Sequence, residues 1–187
     1  MQSKVRIFLL LFICFSFGLI IDSCCKGYKL RWEYIITQTL DNGEITENDS
    51  INAENYGIRI NMINQKFALN SVNPLIQEVY AYDCSPTYAI LDTIVEIKVF
   101  TINNLDATFL AGSDITELFT GNLLNTEILS VDELIYEINK TFVDDDEYFN
   151  LFINYNIANS SNQKFLVSIE LSDNRFLDGE VREAWLY

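Results

Sequence analysis

Apolar and polar side chains alternate over much of the chain, and a period of two marks half-buried strands. Tyr28, Leu30, Trp32, Tyr34 and Ile36 alternate with Lys29, Arg31 and Glu33, which predicts a strand with one row facing a core. Asp41-Asn42-Gly43-Glu44 reads as a turn, and the polar run from there to Asn55 predicts a long exposed loop. Tyr56, Ile58, Ile60 and Met62 resume the alternation, with Arg59 and Asn61 facing away. The phase then moves to Ile63, Phe67 and Leu69, predicting a bulge or turn near Asn64. A short strand is expected at 79–82, before Pro86. From 94 to 102, Val95, Ile97 and Val99 form one face and Glu96 and Lys98 the other, while Phe100 and Ile102 bury the second half on both faces. Asn103-Asn104 marks the next turn.

Two helix starts interrupt the strands. Asp114-Ile115-Thr116-Glu117 has the spacing of a capping box, with room for one turn before Phe119. Ser130-Val131-Asp132-Glu133 is a stronger box, because Val131, Leu134, Ile135 and Ile138 then fall at i, i+3, i+4 and i+7. Strand periodicity returns in Phe149, Leu151, Ile153, Tyr155 and Ile157, with Asn150, Asn154 and Asn156 between them. After a loop at 159–162 it recurs in Phe165, Val167, Ile169 and Leu171. Asp173-Asn174 and Asp178-Gly179 are turn signals, and 181–186 predicts a last short strand. The sum is a mainly β domain of about seven strands with one or two short helices in connections. With no βαβ rhythm, the pattern favours an antiparallel β-sandwich, an immunoglobulin-like arrangement being one option.

The first residues follow a different logic. Lys4 and Arg6 precede an unbroken apolar run at 7–21, shorter than the roughly 20 residues a membrane-spanning helix needs. Ile21-Asp22-Ser23-Cys24 resembles the bacterial lipobox, although Asp22 is unusual at its position. The expectation is a lipoprotein signal peptide over 1–23 and a single mature β-rich domain over 24–187. Diacylglycerol on Cys24 would then anchor the domain, since each buried CH₂ contributes about 0.8 kcal/mol. An ordinary cleaved signal or an N-terminal transmembrane helix are the competing readings. The anchor implies a cell-envelope, outer-membrane address.

Charge narrows the partners. The chain has 12 basic and 27 acidic residues, a net charge of −15. Losing Lys4, Arg6 and Asp22 with the signal leaves ten basic and twenty-six acidic residues, a net charge of −16. Such a domain repels phosphate backbones, so no nucleic-acid partner is expected, and anionic lipid headgroups repel it too. The sequence has no histidine, which excludes Ser-His-Asp and Cys-His catalysis and imidazole metal sites. Carboxylate-only glycoside hydrolysis stays open, with two acids roughly 5–9.5 Å apart across a cleft as its signature. No pair stands out, so no catalytic residue, cofactor or metal site is assigned and a non-enzymatic role is expected.

Cys14 leaves with the signal and Cys24 takes lipid, which leaves Cys25 and Cys84. In an oxidising compartment they could form a disulfide closing a loop of about 60 residues, worth roughly 4 kcal/mol in the chain-entropy model. Two separate thiols are the alternative. Asp144-Asp145-Asp146-Glu147 is the densest acidic cluster, but its spacing is not that of an EF-hand and a solvated loop explains it equally. The acids of 41–49 form a weaker cluster. Among the aromatics, Trp185 and Tyr187 are the least obviously buried, and exposed rings of this kind can stack on sugars.

The segments Tyr80-Ala81-Tyr82-Asp83-Cys84-Ser85-Pro86, Asp92-Thr93-Ile94-Val95-Glu96-Ile97 and Gly112-Ser113-Asp114-Ile115-Thr116, with Cys24-Cys25, resemble a family of small uncharacterised Bacteroidetes lipoproteins of unknown function. The resemblance implies an envelope location and carries over Cys24 alone as a functional residue. It also implies O-glycosylation at Asp-Ser/Thr-aliphatic sites, which Asp49-Ser50-Ile51 and Asp92-Thr93-Ile94 match at Ser50 and Thr93. Surface-displayed members carry acids after the cysteine; here Lys26 and Lys29 follow, which leans towards the periplasmic face. The expected role is a lipid-anchored binding module for a protein or glycan. A structural, fimbria-like accessory subunit is the alternative, and a small glycoside hydrolase the third reading.

Overall fold

The structure, a computed structural model, describes residues 27–68, 87–123, 127–142, 147–155, 157 and 160–187. The strand expected at 79–82 and Leu69 lie outside them. The chain divides into two compact units, residues 1–30 with 66–89 and residues 31–65 with 90–187. In the first, the described residues are the start of β1 (Gly27–Asp41), the end of β4 (Tyr56–Ala68) and most of β5 (Thr87–Ile90), and β5 pairs with β1.

The second unit holds the core. Its further strands are β2 (Glu44–Ile45), β3 (Ser50–Ile51), β6 (Ile94–Thr101), β7 (Phe119–Leu123), β8 (Leu129–Ser130), β9 (Tyr148–Ile153), β10 (Ser161–Gln163), β11 (Phe165–Leu171), β12 (Phe176–Glu180) and β13 (Ala184–Leu186). The largest sheet runs β2-β1-β4-β9-β7-β8, a second β12-β11-β6, and a third β10-β13-β3. Pairing is antiparallel in β1–β2, β4–β9, β7–β9, β6–β11, β11–β12 and β10–β13, while β3 and β13 run parallel. The chain is therefore mainly β with antiparallel sheets, as its periodicity predicts.

Phe165 at the head of β11 closes the sandwich. Its ring lies 5.5 Å from that of Tyr56 on β4 and 6.0 Å from that of Phe119 on β7, so the second sheet packs face to face on the first. Phe165, Val167, Ile169 and Leu171 are all fully buried, as are Ile58, Ile60 and Met62 opposite. The only α-helix among the described residues, α1 (Val131–Thr141), starts at the expected capping box. Ser130 Oγ accepts from Glu133 N, and Glu133 Oε2 accepts from Ser130 N at 3.0 Å. Leu134 and Ile138 are buried beneath it.

Several strands depart from their simple periodicity. In β1 the inward row is Leu30, Trp32 and then Ile35; Tyr34 and Ile36 point outwards and are exposed. In β6 the ladder to β11 slips between Glu170 and Leu171, leaving Val95 as an extra residue that bulges into solvent. The expected exposed loop before Asn55 contains two short strands. It opens on a hairpin turn with positive φ at Asn42 and Gly43, and it delivers Ile51 to the core. No turn occurs near Asn64, since β4 runs on to Ala68. Where the capping box at 114–117 predicts a helical turn, a short 3-10 helix forms at Thr116–Leu118 without a side-chain cap at Ile115; Asp114 Oδ1 accepts instead from Thr116 N at 3.0 Å. Asn150 is buried rather than outward, bonded to Arg59 Nε at 3.0 Å and Asn122 Oδ1 at 2.9 Å. Tyr155 falls beyond β9, and its hydroxyl donates to Asp106.

Asp178-Gly179 is not a turn but the middle of β12. The glycine is there for space: a Cβ would meet Thr37 Cγ2 at 2.7 Å and Ile35 Cδ1 at 3.0 Å on β1. Beside this contact an ionic cluster ties the sheets. Arg175 Nη2 lies 2.5 Å from buried Asp92 Oδ2, Arg175 Nε lies 2.6 Å from Asp173 Oδ2, and Arg175 Nη1 donates to Trp32 O at 2.6 Å. Arg31 joins Asp173 at 2.9 Å. Hydrogen bonds from Arg175 and then Arg31 hold the Asp173 carboxyl at about 2.

Gly179→Ala is expected to destabilise the fold by about 1–3 kcal/mol, read as a lower urea midpoint. An unchanged midpoint would show that β1 and β12 can separate freely. Because Asp173 is depressed in the fold, its stabilising effect is complete above about pH 4 and is lost as pH falls towards 2. Asp173→Asn should flatten that acid limb of the melting temperature while leaving the slope above pH 5 unchanged.

Candidate functional site

Alternation in β13 decides what its side chains do. Ala184 and Leu186 are buried, so Trp185 between them must face out, and it is 44% exposed. Its neighbours are set by register. Asn162 on β10 lies directly opposite on one side and Ser50 on β3 on the other. Directly paired residues share a face, about 5 Å apart, so an exposed indole is flanked by an exposed amide and an exposed hydroxyl. Tyr187, also exposed, follows two residues on.

The backbone around this row is firmly held. Trp185 N donates to Asp49 O at 2.7 Å, Tyr187 N to Ile51 O at 3.3 Å, and Ala53 N to Tyr187 O at 3.0 Å. Arg182 pairs with Asp49 and donates to Glu47 O at 2.7 Å, fixing the strand approach to Ser50. Asn103 Nδ2 donates to Asn162 O at 3.2 Å. Chemically the row offers a π face, an amide that both donates and accepts, and a hydroxyl that does the same.

A groove of about 370 Å³ lies elsewhere, between β6 and the start of α1. Val95, Ile97, Val131 and Ile135 contribute its apolar lining, and Glu96, Lys98, Asp114 and Asp132 its charged rim. The Glu96 hydrogen bond raises the Lys98 pKa from its ordinary value.

Of the residues singled out from sequence, Trp185 and Tyr187 are exposed as expected. Ser50 and Thr93 are exposed too, but their motifs differ: Asp49 is open to solvent, whereas Asp92 is buried in the Arg175 cluster. Cys24, Cys25, Cys84 and Asp144 to Asp146 lie outside the described residues. Asp106 is spent on structure, its Oδ1 accepting from Thr108 N at 2.6 Å and Phe109 N at 2.9 Å, and Tyr155 first among these contacts lowers its pKa. Among the described residues no acidic or cysteine side chains group as a metal site, and no helix is long and apolar enough to cross a membrane. Periodicity could not have found the groove, since Val95 reads as a core residue and the bulge that expels it is a tertiary feature.

No curated protein sequence matches the chain. Among solved structures it is similar to the C-terminal domain of the Streptococcus agalactiae antigen I/II polypeptide BspA, at 8% identity and a TM-score of 0.29, over 83% of this chain and 50% of that one. It is also similar to the C-terminal domain of the Streptococcus pyogenes antigen I/II-family protein AspA, at 7% identity and a TM-score of 0.25, over 83% and 46%. The chain thus spans about half the length of these structures. Residues 36–179 match the family described as domain of unknown function DUF5034, and the chain belongs to that family.

Proposed function

We propose that this protein is a lipid-anchored, non-enzymatic binding module of the cell envelope, and that the Trp185 face takes a glycan. The observation that carries the reading is the row Asn162, Trp185 and Ser50, fixed by strand register and turned outwards. Sugars present apolar C–H faces that stack on an indole and hydroxyls that an amide and a hydroxyl can bond. The lipobox-like Ile21-Asp22-Ser23-Cys24 supports the anchor, and Lys26 and Lys29 after the cysteine favour the periplasmic face of the outer membrane. A Cys25–Cys84 disulfide would keep the domain close to that anchor. Glycans attached at Ser50 or Thr93 fit the exposure of both hydroxyls. One on Ser50 would lie against Trp185 itself, so mass spectrometry of the native protein separates an attached sugar from a captured one.

Protease shaving of intact cells, with a periplasmic control, tests the address. Protection until the outer membrane is opened is the expected result, and loss from intact cells would place the domain on the surface. Binding is read on a glycan array with the wild type and Trp185→Ala. A retained ligand should be lost or weakened about tenfold or more in the variant, in keeping with the 1–3 kcal/mol that aromatic stacking contributes in comparable platforms. Glycan binding indifferent to Trp185 would remove this face from the reading.

A further inference from the structure

Strand register puts three polar side chains in one row across the largest sheet. Asn150 on β9 stands directly opposite Arg59 on β4 and, on its other side, opposite Asn122 on β7. Their neighbours along the strands, among them Ile58, Ile60, Leu151 and Leu123, are buried core residues, so alternation turns the row to the other face of the sheet. Arg59 and Asn122 are half-buried there, and Asn150 between them is fully covered. The hydrogen bonds along the row run one way. Arg59 Nε donates to Asn150 Oδ1 at 3.0 Å, and Asn150 Nδ2 donates to Asn122 Oδ1 at 2.9 Å. The terminal nitrogens at both ends are therefore left as donors: Arg59 Nη1 and Nη2 on β4, and Asn122 Nδ2 on β7. Two strand spacings, about 10 Å, separate the ends.

Arg59 is fixed in orientation and lacks a counter-ion. Its guanidinium carbon lies 4.1 Å from the centroid of the Tyr148 ring, two residues before Asn150 on β9. With one face against that ring and Nε occupied, the fork is left to act through Nη1 and Nη2. Among the described residues Arg31, Arg175 and Arg182 each pair with a carboxylate, and Arg59 meets none. An aromatic ring lies beside it on the same face. Phe152 stands opposite Gly57 on β4, two residues from Arg59, and leans across the glycine: a Cβ there would come within 2.9 Å of Phe152 Cδ1 and 3.1 Å of Cε1. Gly57 thus lets the half-buried ring settle on the sheet next to the guanidinium. Thr120 of β7, opposite Phe152 on its other side, adds a hydroxyl.

We propose that this row binds a uronic-acid sugar, with its carboxylate on Arg59 and its pyranose ring on Phe152. Arg59 Nη1 and Nη2 donate paired hydrogen bonds to the two carboxylate oxygens. The C–H face of the ring packs on Phe152, and a sugar hydroxyl accepts from Asn122 Nδ2. Charge selects the ligand. One cation without a counter-ion matches one carboxylate, whereas an acidic segment of a protein would bring several charges against the net −15 of this chain. A single carboxylate on a neutral, hydroxyl-bearing frame meets both conditions. The site lies on other strands than Trp185 and stands whether or not that face takes a glycan.

The full chain in mild detergent can be titrated by calorimetry with a disaccharide of one glucuronic acid and one glucose. The matched probes are the same disaccharide with its carboxyl reduced to the alcohol, and a short polyglutamate peptide. The acidic disaccharide should bind saturably and about tenfold or more tightly than its reduced form, as the loss of charge-assisted hydrogen bonds requires. Arg59→Gln should weaken it by a similar factor. Asn122→Asp keeps the acceptor that Asn150 uses but replaces the outward donor with a negative charge, so it should abolish binding while leaving the melting temperature unchanged. Trp185→Ala should leave this binding intact, and its loss there would move the sugar to that face and overturn the proposal. Saturation by none of the probes, equal binding of acid and alcohol, or wild-type affinity in Asn122→Asp would overturn it too. Tighter binding of the polyglutamate peptide would overturn the sugar assignment.

Discussion

The fold depends on the burial of one strand face. Phe165, Val167, Ile169 and Leu171 on β11 are sealed against Tyr56, Ile58 and Ile60 on β4 and Phe119 on β7, and the remaining sheets hang from that contact. Phe165 is the pivot because its ring touches aromatics from two strands of the opposing sheet. A truncation there would cost about 3–5 kcal/mol, a large part of what a domain of this size has to spare. The neighbouring constraints all act on the same closure. Gly179 lets β12 approach β1, and Arg175 bonds the β1 carbonyl at Trp32 while neutralising buried Asp92.

How far the sequence revealed this varies with the kind of signal. Where a strand is buried on one face and regular, as in β11 and β4 from Ile58 to Met62, its alternation matches the burial residue by residue. The capping box at Ser130 is equally legible, because its chemistry is local. Periodicity misleads where a bulge intervenes. Val95 is apolar like Ile94 and Ile97, and only the slipped register against β11 turns it outwards; Tyr34 and Ile36 continue the alternation of Leu30 and Trp32 in sequence yet are exposed. Asp178-Gly179 has the composition of a turn, yet its glycine answers a steric demand from residues 35 and 37, far away in sequence. Asn150 reads as an outward polar residue and is instead satisfied inside by Arg59 and Asn122. At the candidate sites, Trp185 was legible as an uncommitted aromatic, but its companions Asn162 and Ser50 follow from registers that no short pattern encodes.

The Trp185 face and the β6 edge share an origin in the management of sheet edges and faces. A short three-stranded sheet must leave one face to solvent, and here that face carries an indole among hydrogen-bonding groups. The β6 edge is mostly covered, by an amide from α1 on one side and a loop on the other, which is how proteins discourage uncontrolled strand pairing. The strong negative charge is distributed to different ends: Asp92, Asp106 and Asp173 hold the fold, while Asp114 and Asp132 shape a rim.

The parallel pairing of β13 with β3 also has a temporal meaning. Trp185 and Leu186 bond alongside Ser50 and Ile51, so the two partners are separated by most of the domain's length. No local hairpin can bring them together, and the loop closed by their meeting includes nearly every other strand of the larger unit. Contacts of such high sequence separation form late and slow the search for the native state. Ile51 therefore waits for its strand partner until residues 184–186 have been made and brought back across the domain, and the third sheet closes as a latch over contacts formed before it.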